Sequence, residues 1–129
     1  MEEKWATYMG NTNIKETPYS IIYEQKINHP RLKWAILKLE IWKNEPRVQI
    51  GFKYFRLSSS NPEIFYLSFP LPDNGAFPVL SYGANEFQPY KEQLPNTCTD
   101  YFTIDSWVHY LSSKGSWIWS SREAALISF

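Results

Sequence analysis

Cations interleaved with flat side chains are the most specific chemical pattern in this 129-residue chain. Between Lys26 and Arg56 stand eight basic residues against two acidic ones, and Trp34, Trp42, Phe52, Tyr54 and Phe55 are spaced among the lysines and arginines. Single-stranded nucleic acid is held by this combination, because cationic grooves track its phosphates while exposed rings stack on its bases. The pattern makes Lys33, Lys38, Trp42, Lys43, Lys53, Phe55 and Arg56 a candidate nucleic-acid-binding set. The run Gly51-Phe52-Lys53-Tyr54-Phe55 echoes the aromatic spacing of RNA-reading strands but lacks most of that motif, so no family is assigned from it. The competing structural reading places Trp34, Phe52 and Tyr54 in a core. The basic residues then decorate a solvent face and discourage edge pairing.

A second group of aromatics lies toward the C-terminus. Trp107, Tyr110, Trp117 and Trp119 are more large rings than one short helix and turn commonly bury. Phe77, Tyr82, Phe87 and Tyr90 fall in a proline-rich stretch before them. Trp and Tyr concentrate at binding hot spots, and long ordered loops carry function. Phe77, Tyr82, Phe87, Tyr90, Trp107, Trp117 and Trp119 are therefore the candidate partner-binding set, with core packing as the competing role.

Catalytic patterns are thin. Asp105 and His109, four apart on an expected helix, share a face that suits two metal ligands or an oriented general base at a small-ligand cleft. Two ligands do not make a metal site, and His29 is the only other histidine. The lone Cys98, with Asp100 and His109 following, has no activating motif beside it. The five glycines stand singly, without the Gly-x-Gly or Gly-Lys-Ser/Thr runs that cradle phosphates. No catalytic set, metal or cofactor is assigned.

These residues need elements to position them. A chain of this length supports one domain with one core. Thirteen basic and thirteen acidic residues cancel, so no global field draws the protein to polyanions or acidic membranes. Aromatics make up 18% of the sequence, well above the usual share. Residues 1–18, with Gly10, Asn11, Asn13 and Pro18, read as a loosely tied N-terminal arm. Tyr19 to Ile27 reads as a strand closed by Asn28-His29-Pro30. Over 31–43 the apolar phase slips at Ile36-Leu37, which a bulge or burial on both faces explains; a helix competes, since Trp34, Leu37 and Ile41 also fit its spacing. The turn Lys43-Asn44-Glu45-Pro46 and the alternation of Val48, Ile50, Phe52 and Tyr54 favour a strand hairpin. Glu63 to Phe69 is expected to add a further strand.

Prolines at 70, 72, 78, 89 and 95 make 70–100 a long irregular connection, with at most a short edge strand over Val79 to Tyr82. Thr103 or Asp105 can cap a helix running through Leu111, stopped at Lys114-Gly115. Ser120-x-x-Glu123 matches a capping box opening a second. Strands first and helices last predict an α+β fold, a meander of about four or five antiparallel strands covered on one face by one or two C-terminal helices.

No stretch approaches the 18 or more apolar residues that span a bilayer. The opening Met-Glu-Glu-Lys-Trp has neither the basic nor the apolar region of a secretory signal, and one cysteine cannot form an internal disulfide. A soluble, cytoplasmic protein is expected. The leading functional expectation is a non-enzymatic protein-interaction module: a small inhibitor, an immunity-type binder or an assembly subunit with a protein partner. The alternatives are single-stranded nucleic-acid binding through 26–56, and a ligand receptor or enzyme around Asp105 and His109. Oligomeric state is not legible.

Overall fold

The computed structural model describes residues 4–68, 77–82, 85–113, 115–121, 123, 126 and 127, with the backbone alone at Phe77, Tyr82 and Ile127. All the regular structure among these residues is strand. The chain divides into two compact units, residues 1–65 and 66–129.

The first unit is an antiparallel meander of β1 (Thr7–Glu16), β2 (Ser20–Asn28), β3 (Leu32–Trp42) and β4 (Val48–Arg56), lying side by side in chain order. β2 to β4 are rich in Ile, Val, Tyr, Phe and Trp, residues whose branched or flat side chains suit a pleated surface. Side chains close the first two turns and a backbone bond the third. The Thr17 hydroxyl accepts the Tyr19 and Ser20 amides at 3.2 and 2.9 Å, and the His29 ring accepts the Arg31 amide at 3.1 Å. The Trp42 amide reaches the Arg47 carbonyl at 3.2 Å across the Asn44-Glu45-Pro46 turn.

Residues 1–3 lie outside the described residues; within the expected N-terminal arm, Thr7–Glu16 are not loose but form a strand paired with β2. Their alternation is interrupted between Met9 and Asn13, where Gly10 takes φ +69° in a bulge. Gln25 bridges that bulge, its amide donating to the Met9 carbonyl at 3.1 Å. The segment 31–43 is strand, and the slip at Ile36-Leu37 is no bulge, since β2 and β3 stay in one register from Ser20↔Trp42 to Ile27↔Ala35. Both faces of β3 are half-buried there instead. The irregularity in β3 lies at Lys33, between Leu32 and Trp34. Glu63 to Ser68, expected as a strand, has no regular structure, and Phe69 lies outside the described residues.

The second unit overturns the α+β expectation. It holds β5 (Phe77–Tyr82), β6 (Asn85–Phe87), β7 (Phe102–Thr103), β8 (Trp107–Ser112), β9 (Gly115–Ser120) and β10 (Leu126–Ile127). β6-β5-β8-β9 form a second antiparallel sheet, and β7 pairs with β10. The expected first helix is β8, an inner strand paired to β5 on one side and β9 on the other. Trp107, Tyr110 and Leu111 look helical by spacing, but Trp-Val-His-Tyr-Leu is also a run of strand formers, and two neighbouring strands decide the matter. Asp105 caps no helix. Its amide donates to the Ser81 carbonyl at 3.1 Å, and the Ser81 hydroxyl accepts the Ser106 and Trp107 amides at 3.0 and 2.9 Å. Beyond Ser120, Ser121 and Glu123 are not helical, and Leu126–Ile127 is strand rather than helix.

β5 is an interior strand, not an edge. Pro78 is tolerated because the β6 pairing spans only Leu80 to Tyr82, so at Pro78 only β8 is paired and no ladder bond is lost on the other side. The core is a row across this sheet. Leu80 lies opposite Phe87 and Val108, and Val108 opposite Trp119, so all four share one face. Leu80 and Val108 are buried with Phe102 and Ile104, and Phe87, Tyr110 and Trp119 pack at the margin.

Candidate functional site

The register of the first sheet sorts its side chains onto two chemically different faces. Residues directly opposite share a face, and those two apart along a strand share it too. One face carries the rows Tyr8–Ile27–Ala35–Tyr54, Ile14–Tyr23–Leu39–Ile50 and Glu16–Ile21–Ile41–Val48, with Gln25–Leu37–Phe52 between the first two. Glu16, at a corner, is the single charged residue in these rows, and it bonds Lys43 at 2.6 Å. That hydrogen bond, with the ammonium charge, lowers the Glu16 pKa. Tyr8, Ile14, Ile41, Val48, Ile50 and Tyr54 on this face are exposed. Tyr8, Thr12, Tyr23, Gln25, Leu37 and Leu39 line a shallow depression at its middle.

The chain after β4 returns over one end of this face. Phe65 stacks on Tyr54 at 6.2 Å and meets the His29 ring edge-on at 5.8 Å. Glu63 there lies 2.7 Å from Arg31 and 3.2 Å from Arg56. Burial pushes the Glu63 carboxyl up, but the Ser59 hydroxyl and the two guanidiniums outweigh it and leave its pKa below the ordinary value.

The opposite face is polar and carries Trp34–Phe55, Met9–Lys26–Ile36–Lys53, Asn13–Glu24–Lys38–Gly51 and Lys15–Ile22–Glu40–Gln49. Glu40 accepts from Ser20 at 2.8 Å and pairs with Lys38 at 3.4 Å, and its pKa is lowered chiefly by the Ser20 bond. Arg47 covers the Trp42 ring at 4.3 Å.

The structure divides the basic aromatic set read from the sequence. Lys38, Lys43 and Arg56 are each engaged by a carboxylate, Arg56 lies on the apolar face, and Trp42 is covered by Arg47. Phe52 and Tyr54 also point to the apolar side, away from the lysines. Lys33, Lys53 and Phe55 remain together, joined by Trp34 and by Lys26 from β2. Lys26 bounds the basic stretch read from the sequence but stood outside the candidate set; the strand register puts it in one row with Lys53, with Ile36 between them.

The C-terminal aromatic set is also divided. Phe87 and Trp119 pack against the core, and Trp107 is half-buried. Trp117 and Tyr90 are 56% and 57% exposed, Tyr90 in the left-handed conformation and edge-on to Phe102 at 5.6 Å. The side chains of Phe77 and Tyr82 lie outside the described residues. Asp105 precedes β8 in a bend, whereas His109 sits within β8 between Val79 and Ile118, so no helix face joins them. Among the described residues no three His, Cys, Asp or Glu side chains converge to hold a metal, and no helix is long and apolar enough to cross a membrane.

No protein-family model, curated protein or solved structure matches the chain.

Proposed function

We propose that this chain is a protein-interaction module whose contact surface is the apolar face of the β1–β4 sheet. The observation that carries the reading is the exposure of a nearly uncharged sheet face. Four strands about 4.8 Å apart and roughly nine residues long span on the order of 550 Å². That lies near the upper end of the largest apolar patch of a typical monomer, roughly 300–600 Å², and patches of that size are often contact sites. Antiparallel sheets with one wet face normally place polar side chains there. Here the polar residues already occupy the other face, so the apolar one is left to a partner. Trp117 and Tyr90 in the second unit are the remaining exposed members of the aromatic set and lie outside this surface.

The test is retention of a protein partner by the immobilised chain at low and at about tenfold higher salt, where apolar contacts persist and exposed charge contacts are screened. Ile14→Lys combined with Ile50→Lys places two ammonium groups on the face and should weaken retention by about a hundredfold or more, because each must lose its water. Trp117→Ala should leave retention unchanged. If the double variant is folded and retains the partner as well as the parent, the apolar face is not the contact surface.

A further inference from the structure

We propose that the Trp34–Phe55 corner of the polar face is a binding site for single-stranded nucleic acid. It lies on the opposite side of the first sheet from the apolar face and stands independently of the reading above. Trp34 and Phe55 are a directly opposed pair on β3 and β4, their ring centroids 6.5 Å apart and inclined by 37°. They are 47% and 52% exposed, so neither ring is used up in a core. The Lys33 ammonium stands 5.5 Å from the Phe55 centroid, raised onto this face by the bulge in β3. One row further in, Lys26 and Lys53 flank Ile36.

Charge decides the ligand class. Every other basic residue from Arg31 to Arg56 has a carboxylate partner: Arg31 and Arg56 share Glu63, Lys38 has Glu40, Lys43 has Glu16 and Arg47 has Glu45. Lys26, Lys33 and Lys53 are exposed and form no ion pair among the described residues, and the two rows they flank contain no carboxylate. Three uncompensated ammonium groups around two open rings complement a ligand that offers phosphates and flat apolar faces together. Single strands do so, since their bases are free to leave the stack and lie on aromatic rings; a duplex keeps its bases inside.

The probe is a fluorescently labelled oligothymidylate of about ten nucleotides, titrated with the full chain and followed by anisotropy. Three phosphate contacts predict a slope of log affinity against log salt of about −2. Trp34→Ala and Phe55→Ala should each lower affinity by about tenfold or more, whereas Trp34→Phe, which keeps a stacking ring, should retain most of it. Replacing Lys26, Lys33 and Lys53 with Ala should flatten the salt dependence, and Lys38→Ala should not. The near-ultraviolet dichroism of each variant reports whether it is folded. No binding by the folded parent at low salt overturns the proposal. So does binding that is indifferent to both aromatic replacements, or equal affinity for a duplex or for polyglutamate competing at the same charge, since either would reveal a plain charge contact.

Discussion

Glu63 shows how one carboxylate gathers distant parts of the first unit. It collects Arg31 from the β2–β3 turn, Arg56 from the end of β4 and the Ser59 hydroxyl at 3.1 Å. Burial raises its pKa, and the hydroxyl with the two guanidiniums more than reverses this, so the folded value lies below the ordinary 4.5. A depressed carboxylate contributes stability that is complete above its unfolded value and is lost as pH falls through the folded one. Acidification from 4.5 downward should therefore destabilise the protein, with Glu16 and Glu40 contributing in the same direction. Glu63→Gln should be less stable at neutral pH and should lose less on acidification, which urea melts of both proteins at several pH values will measure. Equal acid sensitivity in the two would mean that Glu63 is not one of the groups responsible.

At the scale of elements, the two sheets are held in register by different devices. In the first, side chains close two of the turns and Gln25 restrains the bulge in β1. In the second, buried Ser81 on β5 fixes where β8 begins, since its hydroxyl accepts two successive amides and its carbonyl a third. Removing that hydroxyl leaves two amide donors without their acceptor; Ser106 is exposed and Trp107 half-buried, so water replaces part of the loss and the total stays near that of one unsatisfied buried group, about 1–3 kcal/mol. Ser81→Ala should therefore lower the unfolding free energy by roughly 1–3 kcal/mol and speed amide exchange at Ser106 and Trp107. Unchanged exchange at those positions would show that pairing with β5 and β9 suffices to place β8 without the hydroxyl.

Across the whole molecule, both units are built from antiparallel strands, and the opposing charges leave little global field. A chain without net charge exerts little long-range steering on charged ligands. The far-ultraviolet dichroism of the protein should accordingly lack the paired minima of helix, in contrast to the α+β arrangement expected from residue order. A substantial helical signal would contradict the assignment of β8 to the second sheet. The first unit adds a further feature at this scale: its two faces differ sharply in charge, Glu16 being the single charged residue in the rows of one while lysines and glutamates occupy the rows of the other.

Residue order was enough to locate β2 and the β3–β4 hairpin, because β-branched and aromatic residues bounded by Asn-His-Pro and Asn-Glu-Pro are local information. It grouped Lys33, Lys53 and Phe55 with Lys38, Trp42, Lys43 and Arg56, which the structure sets apart from them through contacts of their own. It misjudged β1, where a bulge at Gly10 breaks the alternation, and β8, whose spacing serves a helix as well as a strand. Local propensity could not separate those readings; hydrogen bonds to β2 in one case, and to β5 and β9 in the other, did so. The partners of Arg31 and Lys43 were equally hidden. Glu63 is far along the chain from Arg31, and Lys26 from Lys53. Local pairs such as Lys38–Glu40 and Arg47–Glu45 aside, the partner of a charge is set when folding brings distant segments within a few ångströms, and that pairing left Lys26, Lys33 and Lys53 without an ion pair among the described residues.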